Sequence, residues 1–203
     1  MNHRPQIDFS RYDFHPVVVF HGDYTVFDFT QGYDEARTAA SKYGVGRYNE
    51  RRPVTYTSDL FADGRNIHMG IDLAAPVGTP VHAFADGKVF AVGYNAAAGD
   101  YGYTLITQHE LDRVPLYALH GHLAASVEKL EPGAAVERGA IIAHLGDRHE
   151  NGNWPPHVHF QLSWDPPTDC DLPGVVSDGE HAAALAKYPD PRLVLGPLYE
   201  DEP

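Results

Sequence analysis

Between residues 65 and 165 the chain runs in short β-prone stretches cut by glycine and proline, and this punctuation limits what it can fold into. TPVHAF, GKVFAVGY, YTLITQHE, PLYALHGHL, AIIAHLG and HVHFQLSW are the main runs. Several alternate apolar and polar residues with a period of two, as half-buried strands do. Asp86-Gly87, Pro132-Gly133 and Arg138-Gly139 are turn signals between them. No helical pattern alternates with the runs, so a parallel βαβ sheet is not expected. The pattern predicts an all-β core, an antiparallel β-sandwich or barrel, with short helices only in the flanking extensions.

The flanks read differently. Residues 1–60 mix aromatic and polar residues, with one helix expected over residues 34–43. Its first turn is acidic, and Gly44 follows as its stop. The next stretch, GVGRYNERRP, reads as loop. In residues 166–203 a helix through HAAALAKY, capped by Ser177 or Asp178, must end near Tyr188 because Pro189 follows. The tail after it is Pro-rich loop. The expected organisation is an N-terminal extension (1–60), a β domain (61–165) and a C-terminal extension (166–203). No apolar run approaches the roughly eighteen residues of a membrane span. The first residues lack the apolar stretch of an export signal, which predicts a cytoplasmic protein.

Charge excludes some partners. With 28 acidic and 15 basic residues the net charge is −13, which argues against nucleic acid and against anionic membranes or wall polymers. The single cysteine, Cys170, rules out an internal disulfide, and no cation stands near it in sequence to activate a thiolate. Histidine is the informative residue: 13 are present, nine of them from His68 to His159.

Three stretches carry the chemistry. His68 and Asp72 form an H-x-x-x-D pair, His120-Gly121-His122-Leu123 lies mid-chain, and His157-Val158-His159 is an H-x-H on an expected strand. A catalytic zinc site uses three His, Asp or Glu ligands and leaves a fourth position for water. On a strand both imidazoles of H-x-H leave the same face, so one can bind metal while the other faces water or substrate.

In their order and flanks these stretches resemble the lysostaphin/LytM-type zinc endopeptidases. His68-Met-Gly-Ile-Asp72-Leu-Ala-Ala-Pro-Val-Gly-Thr-Pro-Val is similar to that family's opening. Ala85-Asp-Gly-Lys-Val, Pro132-Gly-Ala-Ala-Val-Glu-Arg-Gly-Ala-Ile-Ile-Ala and Pro156-His157-Val-His159-Phe-Gln continue the likeness through residue 165. The resemblance implies Zn2+ on His68, Asp72 and His159, with His122 and His157 as acid/base and transition-state groups. It implies metal-assisted hydrolysis of a peptide bond, with a peptide or peptidoglycan fragment as partner. Two alternatives stand beside this: a cytoplasmic metal-dependent hydrolase of a small peptide or amide, and a non-catalytic binding or regulatory domain.

The chain also departs from the family. A Ser-Thr-Gly turn is common before H-x-H, whereas here Asp147-Arg-His-Glu-Asn-Gly-Asn-Trp-Pro-Pro intervenes. This loop places Arg148 and Trp154 as candidate substrate contacts. A tyrosine found in some members six residues before the first zinc histidine is replaced by Ala62, which leaves the histidines, or a residue such as Tyr101 or Tyr103, for oxyanion stabilisation. His120 shares a face with His122 on a regular strand and joins the substrate contacts or stands as a neighbour without chemistry. His109 is expected to pack behind the site. The ENG-x-WPPH-x-HFQL stretch with a following Leu-Pro-Gly-Val is similar, more loosely, to peptidase-like domains fused to aminotransferases, which points to cytoplasmic small-molecule metabolism.

Overall fold

The computed structural model describes residues 7–56, 61 and 63–200. The first six residues, Ala62 and the boundary at residue 60 lie outside them. In chain order the strands are β1 (Thr25–Val26), β2 (Gly44–Gly46), β3 (Glu50–Arg51), β4 (Ile67–His68), β5 (Ile71–Ala74), β6 (Pro80–His82) and β7 (Gly87–Asn95). β8 (Gly102–Leu111), β9 (Val114–Leu123), β10 (Ala135–Val136), β11 (Ile141–His144), β12 (His157–Ser163) and β13 (Val175–Val176) follow. The helices are α1 (Glu35–Ala40), α2 (His181–Lys187) and α3 (Arg192–Leu195). All six runs read from the sequence form strands: β6, β7, β8, β9, β11 and β12.

The main sheet has the order β1-β2-β5-β12-β9-β8-β7-β10. Its pairs are antiparallel except β1 with β2. β1 and β10 are its edges, so no closed barrel forms among the described residues. Alternation along the central strands gives the sheet two apolar faces. On one face Ile71, Leu73, Leu105, Ala118, Val158, Phe160 and Leu162 pack with Val81, Phe84, Ile142 and Leu145 from the β6–β11 pair and its flanks. Val17 and Val45 from the N-terminal segment and Val194 from the C-terminal one enter the same core. On the other face Ile106, Tyr117 and Leu119 pack under the β13-β4-β3 sheet and α2, through Ile67, Val176 and Ala184. The result is a layered β architecture, the sandwich form of the sequence expectation.

The flanks differ from the reading in instructive ways. α1 ends at Ala40, and Gly44 starts a strand instead of stopping a helix. Gly44 is needed for close approach, since a Cβ there would lie 2.1 Å from the Phe27 ring. The expected loop GVGRYNERRP contains two strands: β2 pairs with β5, and β3 with β4. α2 begins at His181 after Glu180, whose carboxylate accepts from Ser177 N and Oγ, while Asp178 pairs with Arg51. Its end at Tyr188 is as expected. The tail also holds one helical turn, α3.

Because Val45 is fully buried on β2, Val45→Ala should cost about 2 kcal/mol and lower a single unfolding transition of the whole chain. Urea titrations followed by circular dichroism and tyrosine fluorescence check this. A separate early transition would show the N-terminal segment to be an appendage.

Candidate active site

The site is set by the register of the main sheet. One row across it reads Gly46 (β2), Asp72 (β5), His159 (β12) and Gly121 (β9). Asp72 and His159 therefore stand directly opposite each other and project from the same face. His68 comes from the small sheet above, where β4 lies between β13 and β3. The chain passes from one sheet to the other at Met69-Gly70, which puts both ends of H-x-x-x-D at one point. Gly70 is obligatory there, because a Cβ would sit 2.6 Å from the His159 ring.

Three donor atoms converge. His68 Nε2 is 3.0 Å from His159 Nδ1, and Asp72 Oδ1 is 3.1 Å from the first and 3.2 Å from the second. The protonation of both rings follows from their outer partners. His68 Nδ1–H donates to the Arg47 carbonyl at 2.8 Å, which leaves a lone pair on Nε2. Gln161 Nε2 donates to the Pro173 carbonyl, so its Oε1 faces His159 and accepts from Nε2–H at 3.0 Å. That leaves a lone pair on His159 Nδ1. Two lone pairs and a carboxylate oxygen thus face one another with no proton between them. A tetrahedral ion with bonds of about 2.0–2.1 Å would space its ligands roughly 3.3 Å apart, close to the observed triangle. The donor set fits such an ion.

Burial shapes the charges. His68 is pushed down to about 4, chiefly by burial and then by the Arg52 charge, so it is neutral at pH 7. Burial alone would raise the Asp72 carboxyl, but His68, Arg52 and its hydrogen bonds outweigh it and hold the group well below the usual carboxylate range. Arg52 Nη1 donates to Asp72 Oδ2 at 2.8 Å.

His122 and His157 stand beside the triangle, their ring centres 4.3 Å apart. Each Nδ1–H donates to a backbone carbonyl, Asn151 for His122 and Pro155 for His157, which leaves both Nε2 atoms for the groove. His157 Nε2 lies 3.8 Å from Asp72 Oδ1. Burial lowers the pKa of both, so both are neutral at pH 7. The 147–156 loop is held by buried Asn151, whose amide binds Gly146 O, Trp154 O and Trp154 N.

The groove around these groups has a cavity of about 210 Å3. Phe27, Phe29, Tyr33, Tyr56, Phe61 and Trp154 form its aromatic wall, and Asp100 and Asp171 line it as well. Two of the expected substrate contacts are here. Trp154 lines the groove, with its indole N–H donating to Gly99 O. Tyr101 lines it too, but its hydroxyl is committed to the Leu172 carbonyl.

The other two are elsewhere. Arg148 does not line the groove; its guanidinium donates to Asn153 O and reaches Glu35. His120 is fully buried on the opposite face of the sheet, against Phe160. The cause is a bulge. Tyr103 pairs with Leu123 but Leu105 pairs with His120, so Gly121 and His122 stand opposite Thr104 alone. His122 takes φ +64°, and the extra residue turns it to the groove while His120 keeps the core-facing parity of Leu116 and Ala118. His109 is buried behind the site as expected, its ring tilted against Phe84. Tyr103 does not line the groove.

Sequence reasoning missed Arg52, Tyr56 and Gln161. Arg52 and Tyr56 lie in or next to a charged stretch that resembles a solvated loop. Gln161 carried a usable signal, since it shares the face of His157 and His159 on one strand.

A family model described as Peptidase family M23 matches residues 66–169. The chain is 34% identical over 95 residues to the DD-carboxypeptidase/endopeptidase Mpg of Neisseria meningitidis, covering 47% of this chain and 20% of that protein. It is 32% identical over 115 residues to the peptidoglycan DD-endopeptidase ShyC of Vibrio cholerae, covering 57% and 23%. Among solved structures it is similar to the catalytic domain of the antimicrobial peptidase lysostaphin from Staphylococcus simulans. That match has a TM-score of 0.46 at 19% identity and covers 75% of this chain and 98% of that one. The chain spans about a fifth of the length of the first of these relatives. No helix among the described residues is long and apolar enough to cross a membrane.

The position of His120 gives a pH prediction. Burial pushes it from 6.5 down to about 3, so the unfolded chain binds its proton more readily. Its neutral form therefore supports folding fully above pH 6.5, and this support is lost as pH falls from 6.5 towards 3. In metal-free protein, His120→Leu should flatten the fall of the urea midpoint between pH 7.5 and 5 while leaving metal binding intact. An unchanged slope, or lost metal, would return His120 to the site.

Proposed function

The chain belongs to peptidase family M23, and on that premise we propose that it is a zinc-dependent hydrolase of peptide bonds, acting on peptidoglycan-derived peptides. One observation carries the reading: the proton-free triangle of His68, Asp72 and His159 beside the paired imidazoles of His122 and His157. His68, Asp72 and His159 would hold the zinc, which would supply Lewis acidity for the scissile carbonyl and lower the pKa of a water towards ~7. One of His122 and His157, both neutral with Nε2 towards the groove, accepts the proton of the attacking water and returns it to the leaving amine. While it holds that proton, the same ring is a donor for the developing oxyanion. The Tyr56 hydroxyl, held at 3.1 Å by Arg52 Nη1 in the groove wall, adds a donor to the role for which the sequence offered the histidines, Tyr101 or Tyr103.

The substrate class draws on the relatives, whose names specify DD-endopeptidase, DD-carboxypeptidase/endopeptidase and L-Ala–D-Glu endopeptidase activities. Charge narrows it further. A net −13 opposes adhesion to an intact anionic wall and favours detached fragments.

Elemental analysis of untagged protein should find about one zinc per chain, lost in Asp72→Ala and His159→Ala. His122→Ala and His157→Ala should keep the zinc but slow cleavage of cross-linked muropeptides by about 10²–10⁴-fold. A wild type that takes up no zinc, or full turnover in both of the latter variants, would sink the proposal.

A further inference from the structure

We infer that Arg52 is a positioning residue for the metal, one that confines Asp72 to a single ligating oxygen. The inference rests on the zinc reading above. Asp72 Oδ1 faces His68 and His159, while its Oδ2 accepts from Arg52 Nη1 at 2.8 Å. With Oδ2 held in this way the carboxylate offers the ion one atom. Released, it can rotate and chelate through both oxygens, which fills the position that water or substrate needs.

The guanidinium is itself fixed from every side. Nε donates to Glu50 Oε2 at 2.8 Å, and Glu50 Oε1 accepts from Phe29 N at 3.1 Å. Nη2 donates to the Arg47 carbonyl at 3.3 Å, the same carbonyl that accepts His68 Nδ1–H. The Phe29 ring lies 4.8 Å from its centre. One planar fork therefore touches the supports of two of the three donors, a role the single point charge of lysine does not reproduce. Space is kept for it by Gly46, where a Cβ would lie 2.7 Å from Asp72 Oδ2 and 2.9 Å from Arg52 Nη2. Apart from Asp72, these partners come from residues 29–56, upstream of the matched stretch 66–169. The segment containing β2 and β3 is part of the metal centre itself.

The test uses the full chain with two variants, Arg52→Lys and the double Glu50→Gln/Arg52→Gln, which leaves no unpaired Glu50 carboxylate. Zinc affinity is read by chelator competition, and coordination by the visible spectrum of the cobalt-substituted protein. The double variant should bind zinc about 10–100-fold more weakly, with partial rescue in Arg52→Lys. Its cobalt d–d band should weaken as Asp72 becomes bidentate. If the double variant fails to fold, Arg52→Lys, which retains the buried charge, decides by the same two readouts. Affinities within about twofold of wild type with an unchanged cobalt spectrum would make Arg52 a structural ion pair only and overturn the inference. A wild type that binds neither zinc nor cobalt would instead refute the zinc reading.

Discussion

The site depends on an arrangement that is unfavourable by itself: two imidazole lone pairs and a carboxylate oxygen held about 3 Å apart with no proton among them. Free to move, these groups would separate or share a proton. What prevents this is a ring of hydrogen bonds to the far side of each group. The Arg47 carbonyl holds His68, Gln161 holds His159, and Arg52 holds Asp72. Such outer partners choose the tautomer as well as the angle of each ligand, and so decide whether the centre attracts a cation.

Sheet register supplies the rest of the placement. The row Gly46–Asp72–His159–Gly121 puts the two facing donors between two glycines, and neither glycine tolerates a side chain. At Gly121 a Cβ would meet the Tyr101 ring at 2.5 Å. Regular pairing alone would still send His122 to the wrong face. The bulge opposite Thr104 corrects this and costs His122 a left-handed backbone, a strain of about 1–3 kcal/mol that the surrounding structure holds in place.

These features explain which parts were legible in the sequence. The six strands of the centre declared themselves because half-buried strands alternate, and H-x-H declared its face for the same reason. His120 misled because alternation assumes an unbroken strand, and nothing in Leu-His-Gly-His-Leu announces a bulge except the glycine. Residues 44–56 were illegible for a different reason. Strands of two or three residues are too short to show a period, and Glu50, Arg51 and Arg52 together look like a solvated face. Of the two arginines only Arg51 is exposed; Arg52 is almost wholly buried, and composition cannot separate them.

That burial has a further consequence for the chemistry. Breaking a buried ion pair costs about 3–5 kcal/mol, a large part of the roughly 5–15 kcal/mol that keeps a domain folded. Replacing such a pair with apolar side chains often costs nothing, so stability alone does not call for Arg52. Charge balance gives a better reason. Glu50 and Asp72 carry two negative charges and Arg52 one positive, so these three side chains together are −1. A divalent ion added to that cluster leaves a net positive centre, whereas without the guanidinium the same ion would be neutralised. A positive centre in a low-dielectric groove attracts the charge that develops on a carbonyl oxygen under attack. On the zinc reading, Arg52 would serve the electrostatics of the reaction as well as the geometry of the ligand.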